Sequence, residues 1–453
     1  MNTSSNVSTL DKSALPAQTE PRVNWRTHFT LLLLALIYVF SFIDRNVIAI
    51  VMEPIRQEFG VSDSVMGFLS GLAFASLYAL ISLPMGQLAD KGVNRRNIIA
   101  ICCSLWSLAT VACGAVAQFW QLVIARMTVA VGEAGGMAPS VSMVSDLYPK
   151  NRRSLAISVM MLGPHIGLLA AMVAGGYIAQ EYGWRYVFYI FGAPGLLLAA
   201  LLWLFTKDPR QQRQQAAPVK TAEDSLSLVK RLGLIIKIPG MFWLCTASGF
   251  AGLAGYGFGI WVPSFMVRHW DISLTIAGLS FGLASGVFAA VGSIFSGWYC
   301  DKRSQSDKRW QLWLPIIGIV ISFPFGLAFL FSPADAMWQI GSIAVPSAML
   351  FVVFFSFFNS WWPTLSYAAV SHLTTDKQRA TGAAVLNLFV TLCGAGIGPF
   401  LTGVLSDVFS SHGEAQGLAI GLAITLCFFL VAAACYALGV NGYARRVTQL
   451  QQS

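Results

Sequence analysis

The chain has 453 residues, of which 56% are hydrophobic and only 11% are charged. Soluble globular proteins carry about 25% charged residues, so this composition excludes a soluble domain and indicates a membrane protein. The formal net charge is +9, but the basic residues follow the connections between apolar stretches. That placement argues against a nucleic-acid-binding protein, in which the charge gathers on one face.

Twelve apolar stretches are long enough to cross a bilayer as helices, which takes about 20 residues each. We place them at 28–52, 63–88, 97–117, 120–146, 154–179, 184–205, 240–267, 274–299, 311–331, 338–370, 380–406 and 416–441. The tenth stretch is overlong for one straight helix. The sequence therefore predicts an all-α membrane protein with twelve transmembrane helices.

The connections between these spans differ in charge. Most of the 29 lysines and arginines lie in the tails and in the connections that follow even-numbered spans, whereas the opposite connections hold only Arg56, Arg185 and Arg268. By the positive-inside rule, both termini are cytoplasmic. The first two dozen residues contain no apolar core, so we expect no cleavable signal peptide. We predict a multi-pass protein of the cell membrane, in bacteria the inner membrane.

One polar interruption divides the chain into two halves of six spans. The predicted units are a cytoplasmic tail at 1–27, a six-helix bundle at 28–205, a cytoplasmic linker at 206–239, a second six-helix bundle at 240–442 and a cytoplasmic tail at 443–453. The halves repeat a motif, because GQLADKGVNRR at 86–96 is echoed by GWYCDKRSQSDKR at 297–309. Duplication at half-chain distance is typical of transporters that bind substrate between the repeats.

The motif G-x-L-A-D-x-x-x-x-R-R between spans two and three resembles the signature loop of the major facilitator superfamily. SFIDRNVIAIVMEPIRQEF and ARMTVAVGEAGGMAPSVSMVSDLYPKNRRS further resemble its spinster-like branch, whose members carry sphingosine phosphates and lysophospholipids with protons. The resemblance implies the major facilitator fold and assigns gating roles to Gly86, Asp90, Arg95, Arg96, Asp146 and, in the second copy, Asp301. In that family Gly86 permits close helix contact, and Arg95 and Arg96 bind neighbouring carboxylates such as Asp146.

Four charged residues stand inside apolar spans of the first half, where an ionisable group costs roughly 2.5–3.5 kcal/mol even on lenient insertion scales. Asp44 and Arg45 lie in span one; Arg126 and Glu133, seven residues apart, share one face of span four. Two carboxylates near one guanidinium can act as a proton switch, because opening a cavity changes their hydration. We predict that Asp44 and Glu133 couple protons and that Arg126 and Arg45 bind substrate. The alternative is a static ion-pair network that fixes the first half.

The second half carries no charge in the middle of its spans. Its polar groups include Tyr256 in span seven and Asn359 in span ten, set among glycines and aromatic residues. Together with His165 in span five, they are predicted substrate-binding residues, although a buried histidine is more often a packing residue. A cavity with one charged and one aromatic wall suits an amphiphile with an anionic or zwitterionic head.

The sequence thus predicts a proton-coupled secondary transporter of such a substrate, for example a lysophospholipid or a sphingoid phosphate. It would act by alternating access, as a monomer in the lipid bilayer, without a cofactor, a metal or nucleic acid. One alternative is a carrier or exporter of small organic acids or drug-like molecules. A membrane-embedded lipid enzyme is disfavoured because H-E-x-x-H and a metal-spaced His/Cys cluster are absent, and an ATP-driven pump because no phosphate-binding loop is present.

Overall fold

The computed structural model describes residues 23–90, 93–212, 228–375 and 378–452. In the first half, α1 is Trp25–Phe59, α2 runs through Asp63–Gly67, Phe68–Leu72 and Ala73–Asp90, α3 is Arg95–Gly114, α4 comprises Phe119–Ala134 and Met137–Leu147, α5 comprises Lys150–Met160 and Gly163–Tyr182, and α6 is Trp184–Phe205. Two short helices, Pro209–Gln212 and Leu228–Ile236, lie in the linker region.

The second half repeats this arrangement. Here α7 is Met241–Trp270, α8 is Leu274–Ser304, α9 is Trp310–Leu330, α10 comprises Met349–Asn359 and Trp361–Leu373, α11 runs through Arg379–Phe389, Val390–Ile397 and Gly398–Val408, and α12 comprises Glu414–Leu426 and Phe428–Gln452. A 3-10 turn at Ser410–His412 precedes α12. Within the halves, α1 packs on α5 and α3 on α6, just as α7 packs on α11 and α9 on α12.

Eleven helices among the described residues are long and apolar enough to cross a membrane. The twelfth is α4, which is broken at Gly135–Gly136 into segments of 16 and 11 residues. The prediction of an all-α membrane protein with twelve transmembrane helices is therefore confirmed.

The boundaries differ from the sequence prediction at three places, each for a physical reason. Helix α1 continues to Phe59 because its charged last turns find partners in the second half. The overlong tenth stretch begins with a hairpin of β1, Met337–Ile340, and β2, Ile343–Pro346, so the α10 helix starts only at Met349. Short apolar runs do not distinguish a strand from a helix by periodicity. Residues 443–452, predicted as a tail, are the last turns of α12.

The two halves meet along two helix pairs. Helix α5 crosses α8 where Gly278 lies against the carbonyl oxygen of Met172, leaving no room for a side chain. Helix α2 crosses α11 where Gly71 lies against Gly396, and both helices have a π-helical segment at this crossing. Small residues let helix backbones approach closely, and π-turns are frequent at functional sites.

Both crossings lie toward the end of the molecule at which α1 ends and α2 begins, which we call the closed end. The opposite end, which carries the α2–α3 and α8–α9 connections and the linker, is called the basic end.

Candidate functional site

An ion pair between α1 and α4 forms the centre of the site. Arg45 Nη2 lies 2.6 Å from Glu133 Oε2, and Arg45 Nε donates to the same oxygen at 3.2 Å. The Glu133 side chain is fully buried, whereas 28% of the Arg45 side chain is exposed. The Arg45 guanidinium also lies 4.8 Å from the ring centroid of Tyr78 and 5.3 Å from that of Phe74, both on α2. Arg45 is thus held by a carboxylate and by aromatic rings, and part of it remains open to solvent.

Asp44 and Arg126 lie behind this pair and are buried, with 2% and 1% exposure. Arg126 Nη1 donates to the backbone oxygen of Asp44 at 3.1 Å, and its guanidinium lies 5.5 Å from the Phe74 ring centroid. The Asp44 carboxylate accepts a hydrogen bond from the Thr110 hydroxyl on α3. Arg126 therefore contacts the backbone of Asp44, and the short ion pair of Glu133 is made with Arg45.

Three polar atoms of this group have no hydrogen-bond partner among the described residues. They are Asp44 Oδ1, Glu133 Oε1 and Arg126 Nε. Buried polar atoms are almost always satisfied, so such exceptions require an explanation. A carboxyl oxygen without a donor is an atom that can itself carry a proton.

Four tyrosines, two from each half, lie near Arg45. Tyr38 and Tyr78 come from the first half, and Tyr256 and Tyr367 from the second; all four lie within electrostatic range of Arg45. Tyr256 and Tyr367 are each 41% exposed, although Tyr256 lies midway along α7 and Tyr367 lies within the second segment of α10. The Arg45–Glu133 pair and these four tyrosines are called the central site below.

The central site extends to residues that sequence reasoning did not single out. The Tyr367 hydroxyl donates to Asn387 Oδ1 on α11 at 3.1 Å, and Tyr38, Tyr78 and Asn387 were not among the predicted residues. The signal available for Tyr38 and Asn387 was a polar group inside an apolar span.

The remaining predicted binding residues lie around this site. Asn359 sits against Gly255, the neighbour of Tyr256, and its amide oxygen accepts from Trp362 Nε1 at 3.2 Å. His165 lies at the start of the second α5 segment, is partly buried and forms no hydrogen bond with a described residue. Neither side chain contacts the Arg45–Glu133 pair directly.

At the basic end, Arg95 organises a second ion cluster from the first half and the start of the linker. Its guanidinium lies 2.7 Å from Asp146 and 2.6 Å from Asp208, and its backbone N–H donates to Asp208 at 2.8 Å. Burial opposes ionisation of Asp208, but the hydrogen bonds from Arg95 outweigh it, so the pKa of Asp208 is lowered. Asp208 was not predicted from the sequence.

The other predicted gating residues are placed as follows. Arg96 donates to the backbone oxygen of Thr206 at 3.1 Å and to Asn97, not to a described carboxylate. Asp301 is exposed at the end of α8. The side chains of Gly86 and Asp90 lie outside the described part of the chain.

A third ion cluster, also absent from the sequence prediction, joins the halves at the closed end. Arg268 on α7 forms two parallel hydrogen bonds of 2.7 Å with Asp63 and lies 2.7 Å from Glu53. Arg56 bridges to Glu414 on α12 at 2.6 Å. Arg268, Glu53 and Asp63 are almost fully buried.

The same cluster includes the end of α11. Asp407 accepts the backbone N–H groups of Asp63 at 3.0 Å and Ser64 at 2.8 Å, which satisfies the first turn of α2. Ser406 donates to the Asp63 carboxylate at 2.6 Å. These residues lie at the ends of spans. Charged side chains cost little free energy there, so their presence in the sequence does not indicate a functional site.

Comparison with known proteins agrees with this architecture. The family model of the Major Facilitator Superfamily matches residues 34–366. An MFS-type efflux pump of Mycolicibacterium smegmatis is 30% identical over 422 residues, which cover 92% of this chain and 93% of the pump. The sphingosine-1-phosphate transporter SPNS2 of Xenopus tropicalis is 24% identical, covering 87% of this chain and 77% of that protein. The benzoate transport protein of Acinetobacter baylyi is 25% identical, covering 86% and 85%.

Two crystal structures of a bacterial homologue of the human lysosomal transporter spinster also match. The inward-facing, unoccupied conformation has a TM-score of 0.81 and 29% identity and covers 94% of this chain and 99% of that chain. The inward-facing, occupied conformation has a TM-score of 0.79 and 28% identity, with the same coverage. The chain belongs to the major facilitator superfamily, in its spinster-like branch, and is a multi-pass membrane transporter rather than an enzyme.

Proposed function

We propose that the protein is a proton-coupled secondary transporter of an amphiphilic anionic or zwitterionic substrate, such as a lysophospholipid or a sphingoid phosphate. The observation that carries this proposal is the environment of Arg45. Arg45 pairs with Glu133 while 28% of its side chain stays exposed, and it lies near tyrosines of both halves. Guanidinium groups bind phosphate and carboxylate oxygens through charge-assisted hydrogen bonds, so the headgroup binds at Arg45.

Proton coupling follows from competition for Arg45. A substrate anion takes the place of the Glu133 carboxylate as the partner of the guanidinium, and Glu133 is then left buried and unpaired. Protonation of Glu133 removes that penalty, so anion binding and protonation favour each other, as linkage requires. Asp44, with one unpartnered oxygen, is the second proton-carrying group, and Arg126 positions α1 through the Asp44 backbone.

The apolar part of the substrate is accommodated by aromatic rings. Phe42 and Phe74 flank Arg45 at 5.1 and 5.3 Å from the guanidinium to the ring centroids. The rings of Tyr256 and Tyr367 form the facing wall, and their hydroxyls provide donors for a glycerol or amino-alcohol backbone. One chain therefore supplies both walls of the site, and a monomer suffices for transport.

The orientation follows from charge. The basic end carries the lysine- and arginine-rich connections, so the positive-inside rule places it in the cytoplasm together with both termini. The closed end then faces outward, and this conformation is inward-facing. The similarity to the inward-facing spinster homologue structures supports this orientation.

A second candidate function is the carriage of small organic acids or drug-like molecules. It is favoured by the relatives named as an efflux pump and as a benzoate transport protein. An aromatic carboxylate pairs with Arg45 and stacks on the same rings, so the two candidates differ in the length of the apolar part and not in the charged contact.

Binding to the purified protein in detergent separates these candidates. Thermal unfolding is measured with lysophosphatidylcholine, sphingosine 1-phosphate and benzoate. We expect the phosphate-bearing lipids to raise the melting temperature and Arg45→Gln to remove the shift. Arg185→Gln, which breaks an exposed pair with Glu58, is the matched control and keeps it. Stabilisation by benzoate alone selects the second candidate, and an equal lipid response in Arg45→Gln and parent contradicts the proposed site.

A further inference from the structure

A second cavity, separate from the central site, lies at the basic end of the second half. It measures about 190 Å³, which corresponds to roughly six water molecules at about 30 Å³ each. Its polar lining comes from the last turns of α8, α10 and α12 and from the α8–α9 connection, namely Ser304, Lys308, His372 and Tyr443, with the buried Gln311 of α9 at its base. Val447 and Leu450 form an apolar rim.

The internal repeat shows how the lining of this cavity differs from the corresponding region of the first half. The end of α4 reads V-S-D-L at 144–147 and the end of α10 reads V-S-H-L at 370–373. His372 therefore stands where the first half has Asp146. In the first half that carboxylate accepts a 2.7 Å hydrogen bond from Arg95. The second half has a histidine in place of the acid.

The first turn of α9 also lacks an arginine that would correspond to Arg95. The first turn of α9 carries Gln311, which is 3% exposed and donates to the backbone oxygen of Leu365 at 3.2 Å while accepting from Cys300 Sγ at 3.0 Å. Gln311 is thus satisfied by the protein. The second half has exchanged an internal ion cluster for a cavity without a carboxylate in its lining.

The charge around the cavity is positive. Six basic residues of this end form no salt bridge with a described residue: Lys302, Arg303, Lys308, Arg309, Arg445 and Arg446. The ammonium of Lys308 is exposed and makes no hydrogen bond with a described residue, and Lys308 acts electrostatically on His372, as do Asp301 and Arg379. The exposed Asp301 and Asp307 are acidic residues of the same end, outnumbered by these basic residues. His372 Nδ1 and the Tyr443 hydroxyl are hydrogen-bonded at 3.1 Å, which joins α10 to α12 across the cavity.

We propose that this cavity binds a phosphate group, which supplies the negative charge that Asp146 supplies in the first half. Lys308 provides the charge, and the hydroxyls of Ser304 and Tyr443 provide donors to the phosphate oxygens. The phosphate comes either from the headgroup of an anionic lipid or from a soluble phosphate. Trp298 and Trp313, both exposed on the neighbouring helices, are typical of the membrane–water interface, where basic pockets bind lipid headgroups.

The experiment uses the full-length protein and two probes. In detergent, thermal unfolding is followed while inorganic phosphate replaces chloride at constant ionic strength. In nanodiscs of phosphatidylcholine with and without phosphatidylglycerol, native mass spectrometry counts the retained phosphatidylglycerol. Binding of either probe supports the site, and the probe that binds identifies the source of the phosphate.

The variants distinguish binding inside the cavity from non-specific attraction to the basic residues of this end. Lys308→Gln removes the exposed cation and is expected to weaken binding of the active probe about tenfold. His372→Asp restores the charge pattern of the first half and is expected to abolish it. Lys302→Gln, in the same connection but lying over the Trp298 ring, is the matched control and keeps parental affinity.

Three results overturn the proposal. The first is that neither probe binds the parent protein. The second is that Lys308→Gln binds the probe as well as the parent does, and the third is that Lys302→Gln loses as much affinity as Lys308→Gln. Because Lys308 is exposed, its substitution leaves the fold intact, so its result stands even where His372→Asp does not yield folded protein.

Discussion

Replacing Arg268 with alanine should open the closed end. Arg268 holds Glu53 and Asp63 across the two halves at 2.7 Å, and all three side chains are at most 6% exposed. Removing one partner of a buried ion pair costs roughly 3–5 kcal/mol when the other charge is left unpaired. Here Arg56 still pairs with Glu53 at 3.0 Å and with Asp63 at 3.7 Å, so this cost is an upper limit. When the halves separate, both carboxylates regain water, so the cost falls on the closed state alone. At about 1.4 kcal/mol per tenfold, the equilibrium shifts toward the open state by at most a few thousandfold.

The assay measures the distance across the closed end. Spin labels are attached at Ala117Cys on the first half and Ser411Cys on the second, both exposed positions at that end, in a background with the exposed Cys427 changed to serine. Pulsed electron resonance in nanodiscs then gives the distribution of separations. We expect a short separation in the parent and a dominant longer one in Arg268→Ala.

Arg185→Ala is the control for this measurement. Arg185 pairs with Glu58 at 2.7 Å at the same end, but both residues belong to the first half, so its loss should leave the distribution unchanged. An unchanged distribution in Arg268→Ala refutes the reasoning, since it shows that the cluster does not hold the halves together. Lengthening in both variants assigns the effect to surface charge in general.

Three further predictions follow from the other contacts. Glu133→Gln should abolish uptake driven by a pH gradient in proteoliposomes while substrate counterflow continues, because glutamine resembles the protonated acid; Asp44→Asn should likewise lose the pH dependence, and parental rates in both variants contradict their role. Asp208→Asn should destabilise the protein by roughly 2–3 kcal/mol at neutral pH. Because the pKa of Asp208 is lowered on folding, its stabilisation is present above about pH 4 and is lost as the pH falls further, so parent and variant should converge in acid thermal melts. Gly278→Leu should cost more than about 1–3 kcal/mol and block transport by separating α5 from α8, whereas Gly259→Ala, at a position with open space around it, should be silent in both assays.

The fold could be predicted well from the sequence because the bilayer restricts it. An apolar stretch that crosses the bilayer is expected to be a helix, and the basic connections indicated the orientation of successive spans. The exceptions are local: the hairpin at Met337–Pro346 uses the same apolar residues as a helix would. The charged end of α1, from Glu53 to Phe59, reads as a loop until its partners in the second half are known.

The site could be predicted only in part. Hydropathy indicates which residues lie inside the membrane, but it does not indicate which residues of other helices they contact. The cost of charge in an apolar span identified Asp44, Arg45, Arg126 and Glu133. Helical periodicity put Arg126 and Glu133 on one face, yet the short ion pair is Arg45–Glu133, since pairing depends on how α1 packs on α4. No periodicity relates Asp63 to Arg268, which are 205 residues apart.

The three ion clusters differ in whether they lie on one side of the boundary between the halves or cross it, and this difference is compatible with the proposed movement of the halves in alternating access. The Arg45–Glu133 pair lies within the first half, and the Arg95 cluster joins the first half to the start of the linker, so separating the halves breaks neither. The Tyr367 hydroxyl bonds to Asn387 within the second half, so this hydrogen bond also survives the separation. The ion pairs between the halves that involve Arg268 and Arg56 lie at the closed end, where their charges are rehydrated as soon as they part. Under the proposed mechanism, charges that must separate are therefore placed where water can reach them, and the Arg45–Glu133 pair, deep in the bilayer, is separated only by a substrate anion or a proton.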